Sequence, residues 1–255
     1  MFIDDEEVIK SVQRLFEIFE WFDRERRPAS ATEVARALGY PASSANSLLK
    51  SMTERGYLSF DPIRRDYFPT LRVSQEAAWM DRGWYGPGRL SSLVQELKDA
   101  TGETVTISCQ NDLQMLFVEV AEPMRPTEVP TSVGEPAPLF RSAIGFTALS
   151  CRSDRQVKDL LTRYNRRTYR SAAKADPETV LHQVRRVRAI GHAIGYGLFV
   201  EDTGAIAWAL APRGAGHPVV VAVAGPNERL REDEATIVRA GRAAIGRFLG
   251  GNGAC

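Results

Sequence analysis

The side chains best placed for chemistry in this 255-residue chain lie in PASSANSLLKSM, from Pro41 to Met52. Ala45, Leu48, Leu49 and Met52 recur at helical spacing. Ser43, Ser44, Asn46, Ser47 and Lys50 then fall on the other face. A helix that needed only solubility would use Glu, Lys, Arg or Gln, which have better helix propensity. Short side chains instead let another molecule approach the backbone. Serine hydroxyls bond phosphates or base edges, and asparagine can pair bidentately with adenine. A helix N-terminus adds partial positive charge, which favours phosphate.

Cationic residues surround this stretch. Arg26 and Arg27 precede it, Arg55 follows, and Arg64 and Arg65 occupy a turn further on. These five are the candidates for gripping a duplex backbone. Covalent or metal chemistry has weaker support. Cys109, Cys151 and Cys255 lack CxxC spacing, and no catalytic signature surrounds them or His182, His192 and His217. Small buried thiols and surface histidines are the expected reading. Gly195-Tyr-Gly197 lacks the setting of a dinucleotide site. No cofactor, metal or catalytic residue is expected. Arg163, Arg166, Arg167 and Arg170 read as a solvated helix end.

The elements that must hold these residues follow from periodicity. Residues 6–23 carry Val8, Val12, Leu15, Phe19 and Phe22 at steps of three and four, which predicts an amphipathic helix. Ser30 and Glu33 have capping-box form, and Gly39 sits where a left-handed C-cap belongs. After the Pro41–Met52 helix, Gly56 is the stop. Tyr57–Phe60 and Tyr67–Thr70 read as strands around the turn Asp61–Asp66. Helix, short helix, tight turn, helix and hairpin form the order of a winged helix-turn-helix, where the second helix of the pair enters the major groove. The tip arginines would then meet backbone or minor groove.

WMDRGWYGPG, residues 79–88, is a candidate hinge. Beyond it a helix carrying Leu90, Leu93, Val94 and Leu97 and ending near Gly102, strands TVTIS and QMLFVEV, a small-residue helix at 143–150, charged helices at 154–164 and 177–190, strands AIAWALAP and PVVVAVAG, and a last helix at 231–249 predict an α/β or α+β domain. The organisation expected is a mainly α DNA-binding domain at 1–73, a linker helix and hinge at 74–88, and an effector-binding domain at 89–255. Net charge of +1 means that any nucleic-acid surface is local. No apolar run approaches the ~20 residues of a membrane span, and the acidic start MFIDDEEVIK lacks a signal-peptide layout. A cytoplasmic protein is expected.

The order and spacing of SVQRLFEIFE, EVARALGYPASSANSLLKSMTERGYL, RRDYFPTLRV, LVQELKDATGETVTIS, VGEPAPLFRSAIGFTALS, VRRVRAIGHAIG and the pair AIAWALAP and VVVAVAGP resemble the IclR family of bacterial transcription regulators along nearly the whole chain. The resemblance implies a GAF-like α/β fold for the second domain. It also implies dimers or tetramers on palindromic double-stranded operator DNA, and a small organic acid as effector. The family pocket lies between the sheet and the segment matching Ser142-Ala143-Ile144-Gly145, whose amides can hold an anion. The residues expected to line it are Cys109, Phe140, Arg141, Ser142, Ala143, Ile144, Gly145, Ala207, Trp208, Ala222 and Ala224. Two departures matter. Ala42 and Ser47 stand where members often carry basic residues, which shifts phosphate gripping onto the flanking arginines. Ala207, Ala222 and Ala224 stand where members that bind small carboxylates carry polar side chains, so a roomier and less polar pocket for an aromatic or apolar acid is expected. The alternative from another class is an enzyme or scavenger of small acids whose helix-turn-helix contacts protein.

Overall fold

A computed structural model describes residues 9–80, 88–125, 131–168, 174–210 and 218–249. Most of the expected hinge (residues 81–87), Arg170, His217 and Cys255 lie outside them. The chain divides into two compact units, residues 1–82 and 83–255.

In the first unit, α1 spans Lys10–Glu25, α2 Ala31–Leu38 and α3 Ala42–Glu54. Helix α1 buries Ile18, Trp21 and Phe22, with Leu15 and Phe19 partly covered. Val12, expected inward, is 47% exposed, because the stripe that meets α2 and the hairpin begins a turn later. Helix α2 opens on the complete capping box. Ser30 Oγ accepts from Glu33 N, and the Glu33 carboxylate accepts from Ser30 N at 2.8 Å. These bonds hold the Glu33 carboxyl below the usual carboxylate range. Gly39 closes α2 at φ 70°. Helix α3 ends in a Schellman motif. Tyr57 N donates to Met52 O and Gly56 N to Thr53 O, both at 2.9 Å, with Gly56 at φ 78°.

Strands β1 (Leu58–Asp61) and β2 (Asp66–Pro69) form the antiparallel hairpin, and Ala29 bridges to Tyr67 on its outer edge. Helix α4, Arg72–Met80, begins two residues before the expected linker boundary. Its start is fastened to the end of α3. Thr70 Oγ1 donates to Gly56 O at 2.6 Å, and Arg72 Nη1 donates to Arg55 O at 2.6 Å. The Arg72 guanidinium also lies 4.8 Å from the Tyr57 ring centroid.

The second unit runs α5 (Arg89–Thr101), β3 (Thr104–Asn111), β4 (Gln114–Ala121), β5 (Pro136–Pro138), α6 (Ala143–Ser150), α7 (Asp154–Arg167), α8 (Pro177–Ile190), β6 (Ala193–Tyr196), β7 (Thr203–Leu210), β8 (Val219–Pro226) and α9 (Asn227–Leu249). Its strands form one antiparallel sheet in the order β5-β4-β3-β8-β7-β6. Each face is covered, which explains the near-continuous apolar runs of β7 and β8. On one side α5 and α9 pack on Val105, Ile107, Ile206, Trp208, Val221 and Val223. On the other, α6 and α8 pack on Ala207, Val220, Ala222, Met115 and Phe117. The start of β3 is tied to α9 by a bidentate pair: Arg229 meets both oxygens of the buried Glu103 at 2.8 Å.

Candidate nucleic-acid interface and effector site

In α3 the alternation of small apolar and polar residues resolves into an inner and an outer face. Ala45, Leu49 and Met52 are buried. Ser43, Ser47 and Lys50 are exposed, whereas Ser44 and Asn46 sit half-buried at the flank. The helix begins at Ala42 after Pro41 with no side-chain cap. Its first backbone N–H groups and short side chains therefore share one end.

The flanking arginines differ in how far they are engaged. Arg65, at the hairpin tip with φ 56°, is exposed and makes no ion pair among the described residues. Asp61 shapes that tip by accepting from Ile63 N and Arg64 N at 2.8 and 3.1 Å, which lowers its carboxyl pKa. Arg64 pairs with Asp66 at 3.1 Å. Arg26 bends back to Asp23 O, and Arg27 pairs with Glu25 and Glu33, each at 3.3 Å. Arg55 is exposed at the end of α3. Residue type alone ranks these cations equally. The structure leaves Lys50, Arg55 and Arg65 with the least competition from their own chain.

In the second unit Phe140, Ser142, Ala143, Ile144, Gly145, Ala207 and Ala222 come together on the α6 side of the sheet, and all are buried. Ala224 shares that face through its register with Thr104. Three expected lining residues do not join them. Trp208 follows Ala207 on a strand and so points to the opposite face, where it packs against Gly241 and stacks on His192 at 6.0 Å. Cys109 has the parity of Val105 and Ile107 and pairs with Val219, which also places it on the α5 and α9 side. Arg141 is exposed between its buried neighbours.

The amides of α6 are also partly engaged. Ser142 Oγ accepts from Gly145 N at 3.0 Å and donates to Pro138 O at 2.7 Å. Small residues bring α6 down onto the strands. Ala143 lies against Gly195, Thr147 Oγ1 reaches Ala207 O at 3.4 Å, and a Cβ at Gly145 would overlap Leu139 O. The expected extra room is thus taken up by close packing.

Sequence reading overlooked the face of β3 that meets this layer. Thr106 pairs with Ala222 and Ser108 with Val220, so both hydroxyls face α6. Thr106 is 2% exposed and Ser108 0%, and neither hydroxyl has a hydrogen-bond partner. The signal was present: Thr104, Thr106, Ser108 and Gln110 alternate with Val105, Ile107 and Cys109.

No catalytic arrangement emerges around the described thiols and histidines. Burial pushes the Cys109 thiol up, away from the reactive thiolate. His192 is occupied by Ile190 O at 3.1 Å and by Trp208, and burial lowers its pKa. Among the described residues no group of three His, Cys, Asp or Glu side chains could hold a metal ion. The expected solvated arginines of α7 are instead partly engaged, since Arg163 and Arg167 clamp Asp112 at 2.7 and 2.6 Å.

A helix-turn-helix with a wing, joined to an α/β domain whose sheet is covered on both faces, defines a two-domain transcription regulator. The chain belongs to the IclR family: residues 11–62 match the IclR helix-turn-helix domain, and residues 89–245 match "Bacterial transcriptional regulator IclR C-terminal". Among curated relatives, "HTH-type transcriptional regulator XynR" of Escherichia coli is 22% identical over 193 residues, 73% of this chain and 74% of that protein. "Transcriptional repressor IclR" of the same organism is 20% identical over 234 residues, 89% and 84%. These relatives are regulators and not enzymes. The fold is shared with an IclR regulator from Alicyclobacillus acidocaldarius (TM-score 0.61, 20% identity, 96% of this chain and 100% of that one). It is also shared with Thermotoga maritima IclR (TM-score 0.61, 14% identity, 95% and 99%). Among the described residues no helix is long and apolar enough to cross a membrane.

Proposed function

We propose that this regulator grips a palindromic operator with two copies of its N-terminal unit, inserting α3 into successive major grooves, and that a small organic acid with an apolar or aromatic body tunes that grip from the C-terminal unit. The observation that carries the DNA half is the split of α3 itself. Ala45, Leu49 and Met52 are sealed inside while Ser43, Ser47 and Lys50 face out beside a wing tipped by Arg65. Ser43, Ser44, Asn46 and Ser47 read or skirt base edges; Lys50, Arg55 and Arg65 position the helix on phosphates, with Arg26, Arg27 and Arg64 contributing less because their own chain engages them. The effector half is supported by the buried apolar face of Phe140, Ile144, Ala207 and Ala222 around α6.

A ligand acts here only through unequal affinity for the DNA-competent and DNA-incompetent arrangements. The work is cytoplasmic, and the assembly is a dimer or a dimer of dimers, as two-fold operators demand. A gel shift on the intergenic DNA beside the protein's own gene, run at low and raised salt, tests the reading. Binding that competitor DNA does not displace, and that weakens steeply as salt rises, is expected. Equal affinity for any DNA of that length would rule out operator recognition.

A further inference from the structure

The winged hairpin ends in an apolar point. Ile63 is 92% exposed, more than any other large apolar side chain among the described residues. The turn that carries it is held in shape from below. Pro62 has its φ fixed by its ring, one Asp61 carboxylate oxygen accepts from Ile63 N and Arg64 N, and Arg65 N donates to Asp61 O at 2.7 Å. Arg64 is drawn back onto Asp66, whereas Arg65 makes no ion pair among the described residues. The tip therefore presents one apolar side chain beside one uncommitted cation.

A tip that only gripped phosphates would gain nothing from isoleucine, because phosphate oxygens reward donors and positive charge. The minor groove can use both residues. It is about 6 Å wide, room for a single hairpin tip, and its floor carries a two-valued code. Every base pair shows acceptors there, so the cost of covering them is the same for all sequences. Only G·C adds a donor, the guanine 2-amino group. Isoleucine has no acceptor for it. Pressed onto that floor, Ile63 would shut the amino group off from water and leave it unpaired, which costs affinity.

We propose that Ile63 is a specificity-determining residue of the operator contact, seated on the minor-groove floor beside the major groove that α3 occupies and selecting against guanine there. This rests on the reading of α3 and the wing as the operator interface. It divides the tip into two roles: Arg65 anchors to the backbone whatever the sequence, and Ile63 discriminates.

The test uses the full chain and the intergenic duplex beside its own gene, trimmed to the footprinted site. Three forms of that duplex differ only at the pairs flanking the α3 contact, about five base pairs from its centre. They carry A·T, G·C or inosine·C. Inosine keeps the major-groove O6 and N7 of guanine and lacks the 2-amino group, so it separates minor-groove from major-groove readout. The A·T and inosine·C forms are expected to bind alike and the G·C form about tenfold more weakly, the effect of one buried donor without a partner. Ile63→Ala, too short to reach the floor, should bind all three forms alike and melt at the wild-type temperature, because the residue it replaces is exposed. Ile63→Asn, whose amide oxygen can accept from the amino group, should remove or invert the preference. Arg65→Ala should weaken all three forms together and keep the tenfold gap.

Equal binding of the three forms by the wild-type chain overturns the proposal and leaves operator recognition standing. A gap that survives in Ile63→Ala, or that Arg65→Ala abolishes, overturns it in favour of another reader. An inosine·C form as weak as G·C places the readout in the major groove and overturns it too. If the chain prefers none of this DNA to an unrelated duplex, the operator reading fails and the proposal with it.

Discussion

Arg229 shows what a single side chain does in this molecule. Glu103 is 1% exposed at the mouth of β3 and both its oxygens are taken by Arg229, with Arg125 further off at 3.6 Å. A Cβ at Gly225 would strike the same carboxylate, so glycine is required for the pair to close. Arg229→Ala leaves the buried Glu103 charge with only the more distant Arg125. Chemical denaturation should show about 3 kcal/mol lost, since breaking a buried pair costs more than making it gains. Glu103→Gln with Arg229 intact should lose less. At this scale much was legible. The Ser30–Glu33 box and the Gly39 stop follow from residue types alone, because they need only local backbone geometry. The Glu103–Arg229 pair joins residues far apart in the chain, and no local pattern announces it.

Most elements were legible in type and order, less so at their edges, and the short strand β6 was not read at all. Helix α9 starts at Asn227 rather than 231, and β5 is an edge strand of only three residues. Parity was the neglected constraint. Ala207 and Trp208 are adjacent on β7 and cannot line one pocket, and Cys109 shares its side with Ile107. The same rule, applied to β3, exposes the polar row at Thr106 and Ser108. For α3 the corresponding expectation concerns charge. Lys50→Ala and Arg65→Ala should each lower the slope of log affinity against log salt by about one, with sequence preference kept. Ser47→Ala should change preference more than slope. Arg27→Ala, already paired twice by its own chain, should change the slope least.

At the scale of the molecule, each unit owns a core. One is built on Ile18, Trp21, Leu49 and Tyr67, and the other is laid on both faces of the sheet. Separate cores predict separate melting. Calorimetry of the full chain should resolve two transitions, and an acid that binds the second unit should raise that transition most, by mass action. Operator DNA should raise the other. The division into two units was readable from the change of pattern after the winged hairpin. The packing that closes α6 onto the strands was not, because it depends on side-chain volumes meeting across the sheet.

The fastening of α4 to α3 sets a rule for motion. Arg72 and Thr70 hold the carbonyls of Arg55 and Gly56 just past the end of α3, and the Tyr57 ring lies beneath the same guanidinium. A twist arriving along α4 therefore meets two outcomes: the serine-faced rod turns with it as one lever, or those clasps part and the lever comes loose.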